Sequence, residues 1–331
     1  MNLPPIVRLL LWPMSVIYGF IVAIRARMYV TGKLPQRRLK KPVISVGNLT
    51  VGGTGKTPMV MWLAARFLAE GKRVGILSRG YKGNGQSSDE IALMKARLGD
   101  RVLFGIGKDR FAQGQRLQEK VDVLLLDDGY QHLQLARDVN LLLMDAARPL
   151  GKEMLLPAGR LRERLPAMNR ADALIFTRTQ NLPGTEQAIE KLEEYPVFSA
   201  TTRLVGFRRL RESVPFFKGE EMADGPYYAF CGIGNARAFF QNLQIWGLNI
   251  AEKAEFADHH KYDQRDAREL MAAARQTGAR GFVITEKDEQ NLAGVTFGDL
   301  PAYVAVIDLE IAKGDKLLEY IHDRIGRTAA A

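Results

Sequence analysis

Apolar residues fall in short blocks along this chain, not singly. Runs at Val43–Val46, Arg73–Leu77, Val102–Phe104, Val121–Leu126, Val139–Asp145, Ala173–Phe176 and Val197–Ser199 are mostly unbroken by polar residues. A strand with one wet face would alternate, so these runs predict strands buried on both faces. Helical stretches separate them. One covers about Pro58–Glu70; another opens at Asp89-Glu90 and spaces Ile91, Met94 and Leu98 on one face. Strand and helix in alternation predict a parallel, doubly wound sheet. Residues 201–224 break the pattern. TTRLVGFRRLRES alternates apolar and basic residues and reads as an extended connector. A second α/β stretch follows, with strands at Tyr227–Phe230, Gly281–Thr285 and Tyr303–Ile307, and the final RTAAA is expected to be loose.

The start of the chain has its own pattern. Leu9–Ile24 is an uncharged run of 16 residues, with Arg8 before it and Arg25 and Arg27 after it. As a helix that run is about 24 Å long, short of the roughly 30 Å hydrocarbon core of a bilayer. Pro13 is expected to interrupt it, and no small-residue cleavage site follows. The run predicts a helix lying in a membrane interface, with Trp12 and Tyr18 at headgroup level and the arginines facing anionic lipid. That reading is placed above a buried helix, and both above a full span. The basic stretch Lys33–Lys41 would add attraction to such a surface.

The strand at Val43–Val46 leads into Gly52-Gly53-Thr54-Gly55-Lys56-Thr57 and then a helix. Strand, glycine turn and helix in that order define a P-loop. The glycines allow backbone N–H groups to approach phosphate oxygens, and the helix start adds partial positive charge. Lys56 would meet the β- and γ-phosphates and the Thr57 hydroxyl would ligate Mg²⁺, so ATP and Mg²⁺ are the expected cofactors. Thr50 stands where the usual pattern has its first glycine. Val121–Leu126 ends in Asp127-Asp128, the acidic partner such a site requires for its metal. Arg79, Arg110, Gln131 and His132 are candidates for phosphate or sugar contacts.

Charge and composition narrow the partners. The net charge of +10 favours anions: nucleic acid, anionic lipid or a phosphorylated substrate. No aromatic–basic strand pattern supports a nucleic-acid binder, and none is expected as a partner. The single cysteine, Cys231, forms no internal disulfide, and with only four histidines a structural zinc site is not expected.

Several pieces then stand in order: VGGTGKTP at 51–58, SRGY at 78–81, Asp89-Glu90, DDGYQH at 127–132, LPAGRLRE at 156–163, GIGN at 232–235, FADHH at 256–260 and TEKD at 285–288. Together they resemble the tetraacyldisaccharide 4′-kinase family, the lipid A 4′-kinases of Gram-negative bacteria, over about residues 10–310. The chain departs from the family pattern at Arg160, at Lys82, and at Ser88 and Ile91 around the Asp-Glu pair. The resemblance implies transfer of the γ-phosphoryl of ATP to the 4′-hydroxyl of tetraacyldisaccharide 1-phosphate, a lipid A precursor, at the cytoplasmic face of the inner membrane. It implies an N-terminal membrane-associated helix (1–30), a P-loop kinase domain (31–200), a two-stranded linker (201–224) and a smaller C-terminal α/β domain (225–331). It makes Asp89 the general base, pairs it with His259 in preference to His260, and divides that pair between two domains, so that closure completes it. Asp127 and Asp128 become the metal carboxylates with Thr57.

The rival is a membrane ATPase of the partitioning type with a deviant P-loop. That class carries a lysine directly before its paired glycines, where this chain has Val51, and Pro58 also counts against it. No N-K-x-D guanine reader is present to support a GTPase.

Overall fold

The computed structural model describes residues 4–80, 89–147, 153–179, 195–215, 222 and 224–330. The loop expected at 83–88, Tyr81 and Lys82 before it, and part of the expected connector lie outside these residues. The chain forms two compact units, and their borders differ from sequence order. The first takes the described residues up to Gly80, Leu98–Thr202 and the described residues from Leu309 on. The second takes residues 89–97 and Arg203–Asp308.

In the first unit the strands are β1 (Val43–Asn48), β2 (Val74–Ser78), β3 (Val102–Ile106), β4 (Val123–Asp127), β5 (Val139–Asp145), β6 (Ala173–Thr177) and the start of β7 (Val197–Arg209). Their spatial order is β3-β2-β4-β1-β5-β6-β7, and every neighbouring pair is parallel. All six residues of β1 are buried, as an apolar run predicts for a strand covered on both faces. The chain leaves β1 toward β2 on one side and returns to β5 on the other. The carboxyl end of β1 is therefore a topological switch point, where open α/β sheets bind ligands. Helix α2 (Lys56–Ala69) buries Thr57, Val60, Leu63, Ala64 and Phe67, the 3–4 spacing of one apolar stripe.

The second unit orders the end of β7, β11 (Ala302–Ile311), β10 (Phe282–Thr285), β8 (Tyr227–Cys231) and β9 (Ile250–Glu255) side by side. Its core has two faces. Tyr227, Ala229 and Cys231 point to one, with Phe239, Phe240 and Leu243 of a helix at Ala236–Ile245; Tyr228, Phe230, Phe282 and Ile284 point to the other, with Leu270 of a helix at Gln264–Gln276. Helix α3 (Asp89–Leu98) joins this unit through Arg97, which donates to Glu286 at 2.8 Å and to the Ile307 carbonyl at 2.7 Å. Asp89 and His259 therefore belong to one unit, and the expected division of the pair between two domains does not hold. The C-terminal helix (Gly314–Ala330) also departs from expectation. It packs on the first unit, with His322 edge-on to Phe67 at 5.6 Å, and it takes up most of the tail expected to be loose.

Helix α1 (Pro5–Val30) belongs to the first unit. It runs through Pro13 without interruption and spans 26 residues, about 39 Å, so it outlasts the uncharged run. Length and composition suffice to cross a membrane. A narrow face docks. Ser15 Oγ accepts from Ala158 N–H at 2.9 Å, Tyr18 Oη donates to the Arg162 carbonyl at 3.0 Å, and Arg25 Nη1 donates to the Gln131 carbonyl at 3.3 Å. The remaining face is apolar and exposed, with Leu9 and Leu10 more than 70% exposed and Ile17, Phe20 and Ile21 each 61%. It is not the buried core helix that was the lesser alternative.

Gly47, in β1, faces Tyr130 so closely that an added Cβ would lie 2.7 Å from the Tyr130 backbone nitrogen. Gly47→Ala should cost about 1–3 kcal/mol by overpacking. Urea unfolding of the variant at an unchanged midpoint would contradict this packing.

Candidate active site

The carboxyl end of β1 supplies Asn48, fully buried. Its Nδ2 donates to Thr54 Oγ1 at 2.7 Å, and its Oδ1 accepts from Lys56 Nζ at 3.4 Å. One side chain thus fixes both the middle of the glycine loop and the lysine at its end. Gly52 (φ 109°) and Gly55 (φ 87°) hold the left-handed conformations the loop turns on. Thr50 needs no such freedom. It bridges to Leu161, while Val51 N–H donates to the Arg160 carbonyl at 2.8 Å, so an antiparallel contact replaces a glycine turn. The loop's other flank rests on the end of β6. Thr177 Oγ1 donates to the Thr54 carbonyl at 3.2 Å, and Arg178 Nη1 donates to the Gly53 carbonyl at 2.9 Å while pairing with Asp145. Arg178 has φ 62°, a conformation a non-glycine residue adopts only where its surroundings impose it.

Strand β4 delivers Asp127 and Asp128. Asp127 is buried and accepts from Ser78 Oγ at 3.2 Å. Asp128 lies 3.6 Å from Lys56 Nζ and accepts both its bonds from Arg162 Nη1 at 2.8 Å. Burial works against its charge, yet Lys56 and Arg162 outweigh it and hold the carboxyl below its ordinary range. Gln131 donates to the Asn48 carbonyl at 3.0 Å and to Glu163 at 3.1 Å. Arg137 ties the whole turn, donating to the carbonyls of Gly129 and His132 at 3.0 and 2.9 Å. The His132 ring is driven down to about 4 by burial and by Arg110, Arg137 and Arg25, so it is neutral at physiological pH. Burial, then Arg79, lowers the basicity of Arg110, which also feels Asp128 and Asp127. Arg79 itself is exposed.

The second unit builds a separate cluster. Asp89 opens α3 and is buried; its Oδ2 lies 2.8 Å from His259 Nδ1 and accepts from Asn291 Nδ2 at 2.8 Å, and its Oδ1 accepts from Lys261 Nζ at 3.2 Å. Burial raises its proton affinity, but His259, Asn291 and Lys261 together hold the carboxyl well below the usual carboxylate range. Asp89 in turn raises His259 above the ordinary imidazole value, against burial. The carboxylate side chain is 8% exposed and the imidazole 45%, so the ring is the accessible member. His260 pairs instead with Asp266 at 2.8 Å. Glu90 pairs with Lys287 at 3.1 Å.

The first unit thus gathers Gly52 to Thr57 with Asp127, Asp128, Gln131 and the neighbourhood of Arg110. The second gathers Asp89 and His259. Sequence reasoning missed Asn48, Arg162, Arg178, Lys261 and Asn291. Arg162 lies in LPAGRLRE at 156–163, and the place of that stretch in the family pattern was the signal available for it.

A glycine loop between a buried central strand and a helix, at the switch point of a parallel sheet and faced by a strand-end aspartate pair, defines a P-loop nucleotide-binding protein. The profile of the tetraacyldisaccharide-1-P 4′-kinase family matches residues 7–326. A tetraacyldisaccharide 4′-kinase of Geobacter metallireducens is 39% identical over 96% of this chain and 97% of its own length. One of Geobacter sulfurreducens is 39% identical over 89% of this chain and 87% of its own. The crystal structure of "apo" LpxK from Aquifex aeolicus in complex with ATP has a TM-score of 0.73 and 32% identity, covering 96% of this chain and 99% of that one. The chain belongs to the tetraacyldisaccharide-1-P 4′-kinase family, whose members are ATP-dependent kinases of lipid A synthesis. The partitioning-ATPase reading is not favoured.

Proposed function

We propose that this kinase binds MgATP on the Gly52–Thr57 loop and phosphorylates the 4′-hydroxyl of tetraacyldisaccharide 1-phosphate, with Asp89 and His259 receiving the proton. The observation that carries the reading is the 2.8 Å Asp89–His259 contact in a chain that also holds a P-loop. In the reaction the acceptor oxygen bonds to the γ-phosphorus, the bond from that phosphorus to the β-bridging oxygen breaks, and its electron pair leaves on ADP. The hydroxyl proton passes to the Asp89–His259 pair, which titrates as one unit. Phosphoryl transfer goes through a loose transition state, so holding and neutralising charge matters more than a strong base. A weakly basic carboxylate backed by an imidazole suits that demand.

Lys56 and the loop amides would hold the triphosphate, and Arg79, Arg110, Gln131 and His132 are proposed for phosphate or sugar contacts. Asp127 and Thr57 offer the hard oxygen donors Mg²⁺ prefers. Asp128 is already countered by two cations and would add charge. Held by Asp127 and Thr57, Mg²⁺ would supply positive charge to offset the negative charge of the transferring phosphoryl group.

Asp89→Ala should lose on the order of 10²-fold or more in kcat while still binding ATP, as expected for loss of a proton acceptor. His259→Ala should lose less, and the double variant should resemble Asp89→Ala alone. Multiplicative losses in the double variant, assayed at saturating ATP and lipid, would rule out a single acting unit.

We also propose that α1 seats the enzyme on the cytoplasmic face of the inner membrane, where its substrate resides. The exposed apolar face and its flanking arginines support this. Replacing Leu10, Ile17 and Ile21 together by aspartate spares the docked face. The variant should fold, bind ATP and be released from anionic vesicles. Vesicle binding equal to that of the unaltered chain would refute the proposal.

A further inference from the structure

Asp89 is held from three directions by residues far along the chain: His259, Lys261 and Asn291. Two of these are outside the pair itself. Asn291 Nδ2 bonds the same Oδ2 that faces His259, and Asn291 Oδ1 accepts from Lys261 Nζ. The orientation of the amide is therefore dictated on both sides. Flipping it would set its NH₂ against an ammonium and its oxygen against a carboxylate.

Asn291 is the last residue of a short helix, Glu286–Asn291, that is itself fixed at several points. Glu286 takes the bidentate pair from Arg97 at 2.8 Å. Asp288 is fully buried and accepts from Gly232 N–H at 2.7 Å and from Tyr262 Oη at 2.8 Å. The Gly232 carbonyl accepts the backbone N–H of His259 at 3.0 Å. His259 stands at φ 62°, a left-handed conformation that a non-glycine residue keeps only under such restraint. One helix thus aims both members: Asn291 holds the carboxylate, and Asp288 holds the turn that presents the imidazole.

We infer that Asn291 and Lys261 are positioning residues for phosphoryl transfer, which keep Asp89 ionised and directed at His259 Nδ1. The inference rests on the Asp89–His259 pair being the proton acceptor. With Asp89 ionised, the proton of that contact resides on Nδ1, so the imidazole is held in one tautomer.

Both residues donate to the ionised form. Removing either raises the proton affinity of the pair, so more of it is protonated at a given pH and the acid limb of the kcat profile moves to higher pH. Asn291→Leu and Lys261→Met should each lower kcat about tenfold, a fraction of what a positioned acceptor contributes, with the KM for ATP unchanged. Lys261 is 66% exposed, so its substitution leaves the fold intact even if Asn291→Leu does not fold. In an Asp89→Asn background neither substitution should lower kcat further. An unshifted acid limb in both variants would overturn the inference, as would equal losses with and without Asp89. Full kcat in Asp89→Asn itself would overturn the proton-acceptor reading and this inference with it. Impaired Asp89→Asn beside normal Asn291→Leu and Lys261→Met would overturn this inference alone.

Discussion

The first unit is organised around one anion set between two cations. Asp128 faces Lys56 at 3.6 Å and Arg162 at 2.8 Å. Lys56 comes from the glycine loop, Asp128 from the end of β4, and Arg162 from the stretch on which α1 docks. Without Asp128 the two cations would stand together beside a loop already rich in positive dipole. With it, the lysine is held beside the glycine loop, and a partner carboxylate is present before the nucleotide proposed for that loop arrives. Asn48 completes the arrangement from below, so the loop is formed in advance and little has to be reorganised on binding.

The second unit solves a different problem. The proposed proton acceptor needs a carboxylate and an imidazole kept in register, although 170 residues separate them. Local structure cannot do this, so the short helix Glu286–Asn291 reaches both. Its charged residues are spent inward on Arg97, Glu90 and the Gly232 turn, which is why TEKD reads as polar yet is largely buried.

Legibility in the sequence followed from how local each feature is. The P-loop could be read because its glycines, lysine and threonine act within six consecutive residues beside an apolar strand. The buried strands could be read because covering both faces leaves an unbroken apolar run. β9 could not, since IAEKAE is an exposed edge strand whose charges resist further pairing and erase the pattern. Pro13 looked like a break because its own helix supplies no local sign that the chain continues. The placement of α3 with the second unit depends on Arg97 meeting Glu286, a contact across 189 residues with no trace in either neighbourhood. Asn291 was invisible for the same reason, and only the family resemblance distinguished His259 from His260.

The proposed reaction is phosphorylation of one hydroxyl of an acylated disaccharide by a single P-loop chain. The purified chain in detergent, given ATP, Mg²⁺ and tetraacyldisaccharide 1-phosphate, tests it most directly, with the product's phosphorus positions assigned by NMR. Stoichiometric ADP and a new phosphomonoester at the 4′-oxygen are expected. ATP consumed without a phosphorylated lipid, or phosphate carried at another position, would contradict it.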